Sequence, residues 1–279
     1  DPSFGKVSLR ADVNGYGFKI ENINTTIIGK ITALHFKGYS YQNIVVNGQF
    51  QNKKFDGFLE ATDENFDLTF KGLADFSSKI NKFDFTANVD RIDLQKTNLF
   101  TRDSLSVLKG NVKLDISGNT LDNLIGKARF TDFEYTNNKK SYRFEMFEVQ
   151  SSLKDSIKTI DIDSKDIVYG KLEGKFTFNE LLPVVQNALG SVYTNYKPIK
   201  VEKNQYINFD FTIYNQIVDV FLPQISIGKN TVIKGRINSN TNAVKLSFSS
   251  PKLEIYKNII DALTLRVDNK NNLYNTHLT

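Results

Sequence analysis

The chain has 279 residues, 40% of them hydrophobic and 24% charged, the composition of a folded polypeptide and not of a disordered one. Its 36 Lys and Arg and 31 Asp and Glu leave a net charge of +5, but they are interspersed throughout, without the concentrated basic face that nucleic-acid binding needs. Cysteine is absent and histidine occurs only at His35 and His277, far apart, so disulfide frameworks and the usual transition-metal ligand sets are excluded.

The chain opens at Asp1-Pro2 with no initiator methionine, basic leader or apolar leader segment, and is still strand-like at Thr279, so it is expected to be a segment of a longer protein. No apolar run approaches the length of a bilayer span. From the start, apolar and polar residues alternate, the period of a strand with one buried face. Val7, Leu9, Ala11 and Val13 alternate with Ser8, Arg10, Asp12 and Asn14; Phe66, Leu68 and Phe70 follow the same rule, as do Phe83, Phe85, Ala87 and Val89. The pattern recurs at Val112, Leu114 and Ile116, at Phe209, Phe211 and Ile213, at Val244, Leu246 and Phe248, and at Leu263, Leu265 and Val267.

Between these runs, Asn14-Gly15, Asn47-Gly48, Asp56-Gly57, Lys71-Gly72 and Gly118-Asn119 read as tight antiparallel hairpin turns, spaced by close to ten residues. A helix is expected from Asn179, as N-cap, to about Tyr193, with Leu181, Val185, Ala188 and Val192 on one face and Pro183 in the first turn; strands resume near Val201. The count approaches twenty strands in a meander. A twisted sheet of that size curls, splits or closes.

Catalytic signatures are missing. Asp161-Ile162-Asp163-Ser164-Lys165-Asp166 imitates the start of a calcium loop, but Lys165 stands at a ligand position and Leu172 where the bidentate glutamate belongs. Its carboxylates are expected on the solvent face of a strand that buries Ile160 and Ile162. There is no phosphate-cradling glycine loop, nucleophile elbow or metalloprotease helix, and Asp63-Glu64 reads as a solvated turn. A non-enzymatic chain without a cofactor is expected.

Three stretches carry a family resemblance: GYSYQNIVVNGQFQNKKFDGFLEATDENFDLTFKGLADFS from Gly38, LDISGNTLDNLIGKARFTDFEY from Leu114 to Tyr135, and the isolated helix LLPVVQNALGSVYTNYKP inside a long β region. The chain resembles the TamB branch of the AsmA-like superfamily, the translocation and assembly module proteins, in their Bacteroidetes-type versions. The resemblance implies a periplasmic, bridge-like lipid-transfer protein that moves phospholipid between inner and outer membranes and supports outer-membrane assembly. It further implies an N-terminal inner-membrane anchor and a partner in a BamA-like outer-membrane barrel, TamA, both engaged by regions beyond this chain.

The expected fold is therefore mainly β, with residues 1–279 forming one continuous segment of a long antiparallel U-shaped sheet interrupted by the helix at about 179–193. Its apolar face needs a cover, because each large side chain withdrawn from water contributes roughly 1.5 to 3 kcal/mol. The expected cover is the acyl chains of phospholipid, and the expected lining is Phe66, Leu68, Phe70, Phe83, Phe85, Val89, Val112, Leu114, Ile116, Phe209, Phe211, Ile213, Val244, Leu246 and Phe248. The alternative is a structural or adhesin-type sandwich or barrel, in which a second sheet covers the same residues.

Overall fold

A computed structural model describes residues 4–17, 23–101, 104–138, 140–190, 195–214, 225–241, 243–256, 258–269 and 275–279. The described residues are mainly β, 70% of them in strands and 5% helical. The 17 described strands belong to one antiparallel sheet, accompanied among the described residues by one short α-helix. The strands are β1 (Phe4–Tyr16), β2 (Asn24–Phe36), β3 (Tyr39–Gln51), β4 (Lys54–Asp63), β5 (Phe66–Asp75), β6 (Lys82–Asp93), β7 (Ser106–Ser117), β8 (Ile125–Asn137) and β9 (Ser141–Lys154). They continue as β10 (Ile157–Asp163), β11 (Val168–Lys175), β12 (Tyr206–Ile213), β13 (Ile225–Ile227), β14 (Thr231–Asn238), β15 (Ala243–Ile255), β16 (Asn258–Asp268) and β17 (Asn275–Leu278).

Two compact units divide the chain: residues 1–119 with 126–146, and residues 120–125 with 147–279. In the first, β1 to β7 pair in sequence order. In the second, β9 to β12 do the same, β12 pairs β14, and β14 to β17 continue. β13 also pairs with β15, so β13 and β14 occupy successive stretches beside one strand.

The hairpins are not where Asn-Gly and Asp-Gly placed them. Gly15, Gly48, Gly57 and Gly72 lie inside β1, β3, β4 and β5; of the five expected turns, Gly118-Asn119 alone lies outside a strand. The chain turns instead at Lys37-Gly38 (φ 48° and 78°), Asn52-Lys53 (47° and 64°) and Asp155-Ser156 (51° and 66°). Both residues of each pair take positive φ, the backbone of the two-residue hairpin that matches strand twist. Most of the described strands are consequently 10 to 14 residues long. The mid-strand glycines make room for neighbouring rings: a Cβ on Gly48 would stand 2.5 Å from the ring of Phe55, and one on Gly170 2.4 Å from that of Phe211.

The helix begins later than its N-cap signal suggested. Phe178–Glu180 form a 3-10 turn, into which Asn179 falls, and α1 spans Leu181–Gly190. Residues 191–194, which include Val192 and Tyr193, lie outside the described residues. Val184 and Ala188 are its buried apolar positions, with Leu181 and Val185 packed beside them, and Asn187 is buried between them. Strand structure resumes at Tyr206 and not near Val201, because the intervening segment docks on the helix. The Asn187 side chain donates to the Ile199 carbonyl at 2.7 Å and accepts from the Ile199 amide at 2.8 Å and the Tyr196 hydroxyl at 2.9 Å.

Candidate functional site

Register gathers the alternating apolar residues of each unit onto one sheet face. In the first unit, Phe50, Phe55, Ala74, Phe83 and Ile116 stand opposite one another on successive strands, β3 to β7. The next row is Gly48, Gly57, Gly72, Phe85 and Leu114, then Val46, Leu59, Phe70, Ala87 and Val112, then Ile44, Ala61, Leu68, Val89 and Gly110. Phe66 pairs with Ile92 across a bulge that keeps both on this side. The rings of Phe50, Phe55, Phe70 and Phe85 run across the strands as a ladder, with successive centroids 4.7, 6.1 and 4.7 Å apart.

In the second unit, Phe211, Ile233, Phe248 and Leu265 form one row and Phe209, Gly235, Leu246 and Val267 the next. A third is Gly174, Ile207, Ile237 and Val244, and Ile213 pairs with Thr231 at the other end of β12. All nine residues that the alternation assigned to the lining in the first unit therefore share a face there, and so do all six in the second. Asp161 and Asp163 lie exposed on the opposite face of β10 from Ile160 and Ile162.

The apolar faces are incompletely covered by protein. Of the phenylalanines whose burial is described, Phe176 alone is fully buried, and every lining phenylalanine is half-buried. Val89 and Val244 are the two buried members of the expected lining. Two small clusters of apolar residues are fully buried. One is Tyr41, Ile44 and Ala61 in the first unit; the other joins Val184 and Ala188 of α1 to Ile207, Ile237, Val244 and Val267 in the second.

The tyrosine end of the first face is polar and ordered. Asp63, expected in a solvated turn, is 6% exposed. Its carboxylate accepts from the Gln42 and Asn65 amides at 2.9 Å and from the Tyr39 hydroxyl. Burial, then the hydrogen bond to Asp63, raises the Tyr39 phenol above its ordinary range. Tyr41 donates to the Thr97 carbonyl at 3.3 Å, and its ring meets those of Tyr39 and Phe66 edge-on.

Sequence alternation missed Phe50, Phe55, Leu59, Phe130, Phe133 and Phe144. The first three belong to strands whose runs are broken by Gly48 and Gly57. Phe130 and Phe133 are three apart yet in ring contact at 5.8 Å, because Asp132 takes a φ of 51° and inserts a bulge. Phe133 then stacks on Phe144 at 4.8 Å. Apolar spacing of three in place of two was the available signal. On the polar side lie recesses of about 370, 620 and 670 Å³, lined by residues such as Lys71 and Lys113, Asn208 and Arg236, and Asp161 and Lys171.

Comparison of the chain with protein-family models, curated proteins and solved structures finds no match.

Proposed function

We propose that this chain binds and conducts lipid acyl chains along the apolar faces of its sheet. The half-burial of the lining phenylalanines is the observation that carries this reading. In a sandwich or barrel core such rings would be fully covered by a second layer. Here each leaves on the order of 1 kcal/mol of transfer free energy unrealised, available to any apolar ligand laid on the face. Long strands paired in sequence order produce a surface continuous across neighbouring strands within a unit, and passage along it requires no catalytic group.

The resemblance to TamB extends the reading: a segment of a periplasmic bridge that carries phospholipid between inner and outer membranes, anchored and joined to a TamA-like barrel by regions beyond this chain. The test is native mass spectrometry of the purified chain, with phospholipid adducts expected. Phe70→Asp and Phe85→Asp place a carboxylate in the ring ladder and should abolish the adducts while the β-sheet circular dichroism persists. Adducts undiminished in both folded variants would remove the lining from these residues.

A further inference from the structure

The apolar face of the second unit contains a charge. Lys158 belongs to the alternating set of β10 with Ile160 and Ile162, and it is the one charged residue in the alternating apolar sets of β10, β11, β12 and β14. It is 4% exposed. It pairs with Gly174, which pairs with Ile207, so it heads the row that continues through Ile237 and Val244. Burying an ammonium there is costly unless it is well paired.

The pairing is thin. One Asp122 oxygen lies 3.3 Å from Nζ, and the rings of Phe176 and Phe178 face it with centroids at 5.0 and 4.6 Å. The same oxygen accepts from the Phe178 amide at 2.8 Å, so one carboxylate both neutralises the lysine and fixes the start of the helical segment. The Asp122 side chain is 39% exposed where that of Lys158 is 5% exposed. The anion is therefore the partner that can withdraw into water.

The segment it fixes covers the row that Lys158 heads. Ile207, Ile237 and Val244 are 1%, 4% and 3% exposed beneath Val184 and Ala188, whereas Phe211, Ile233 and Phe248, farther along the same strands, are half-buried. A ten-residue helix has little stability of its own and is held by its docking. We propose that residues 178–190 form a displaceable lid over a binding site for an anionic amphiphile, whose tail takes the place of Val184 and Ala188 and whose carboxylate or phosphate takes the place of Asp122 on Lys158. This rests on the acyl-chain reading of the face and adds the headgroup class and the residue that selects it.

The experiment uses the whole chain, cis-parinaric acid and its methyl ester as probes, and phosphatidic acid against phosphatidylcholine in short-chain form as competitors. Asp122→Asn keeps an acceptor for the Phe178 amide but removes the competing charge; it should raise the preference for acid over ester about tenfold and speed amide exchange across 178–190. Lys158→Met should bind acid and ester equally. Competition by phosphatidic acid alone assigns the site to a phosphate headgroup, and its failure against retained acid binding assigns it to a free carboxylate. Equal affinities for acid and ester in all three proteins, with exchange unchanged in Asp122→Asn, would overturn the lid and anchor while leaving the apolar face intact. Absence of binding by either probe to any of the three would overturn the acyl-chain reading itself.

Discussion

Phe209 and Gly235 stand directly opposite one another on β12 and β14, and the phenyl ring lies over the glycine so closely that a Cβ there would be 2.6 Å from it. The ring is laid down on the sheet instead of projecting from it. The same arrangement holds for Phe55 over Gly48 and Phe211 over Gly170, so the apolar faces carry aromatic area with low relief.

Gly235→Ala should lift the Phe209 ring and press on the Lys245 carbonyl, 2.8 Å from the new Cβ. A loss of about 1 to 3 kcal/mol in urea unfolding is expected, as for other overpacked sites. The paired change Gly235→Ala with Phe209→Leu should recover part of it; a single variant as stable as the parent would show that the ring is not confined.

Asp63 satisfies three donors at once, two of them backbone amides. Asp63→Ala strands those groups in a buried site and should cost about 3 kcal/mol, while Tyr39→Phe, which removes one donor, should cost about 1 kcal/mol. Denaturant melts of the two variants give the comparison directly, and equal losses would contradict the network.

Asp75 sets part of the acid stability. Burial works against its charge, but the hydroxyl and amide of Ser77, and Lys54 at 3.1 Å, outweigh burial and hold its carboxyl below the ordinary aspartate range. A carboxyl lowered in the folded state stabilises above its unfolded value, and that contribution disappears as pH falls through the folded one. Asp75→Asn should therefore reduce stability at neutral pH and flatten the acid limb of the stability profile below about pH 4, measured as melting temperature against pH.

The bulge at Asp132 decides which way β8 faces. Asp132→Gly relieves a positive φ and should be neutral or stabilising by up to about 1 kcal/mol. Deleting residue 132 turns Phe133 and Tyr135 to the polar side and should destabilise the chain severely. Thermal melts that placed the deletion near the parent would mean that the bulge does not set the register.

Alternation by itself determined a great deal. A side chain's face in an extended strand depends on parity alone, so Phe66 to Ile116 and Phe209 to Phe248 could be grouped correctly before any pairing was known. The antiparallel order followed from the shortage of long crossovers, and the position of the helix from a single interruption of the two-residue period.

What the tertiary structure decided were the places where a neighbour changes the meaning of a residue. Asn-Gly and Asp-Gly signal turns locally, yet Gly48 and Gly57 stay in their strands, paired with each other across β3 and β4 with the ring of Phe55 against both. Asp63 is buried only because Tyr39 and Gln42 arrive from β3, and Lys158 is tolerated only because Asp122 and two rings converge on it. Parity is a property of one strand and can be read along it; packing and charge compensation are properties of several strands at once, and no single stretch of sequence contains them.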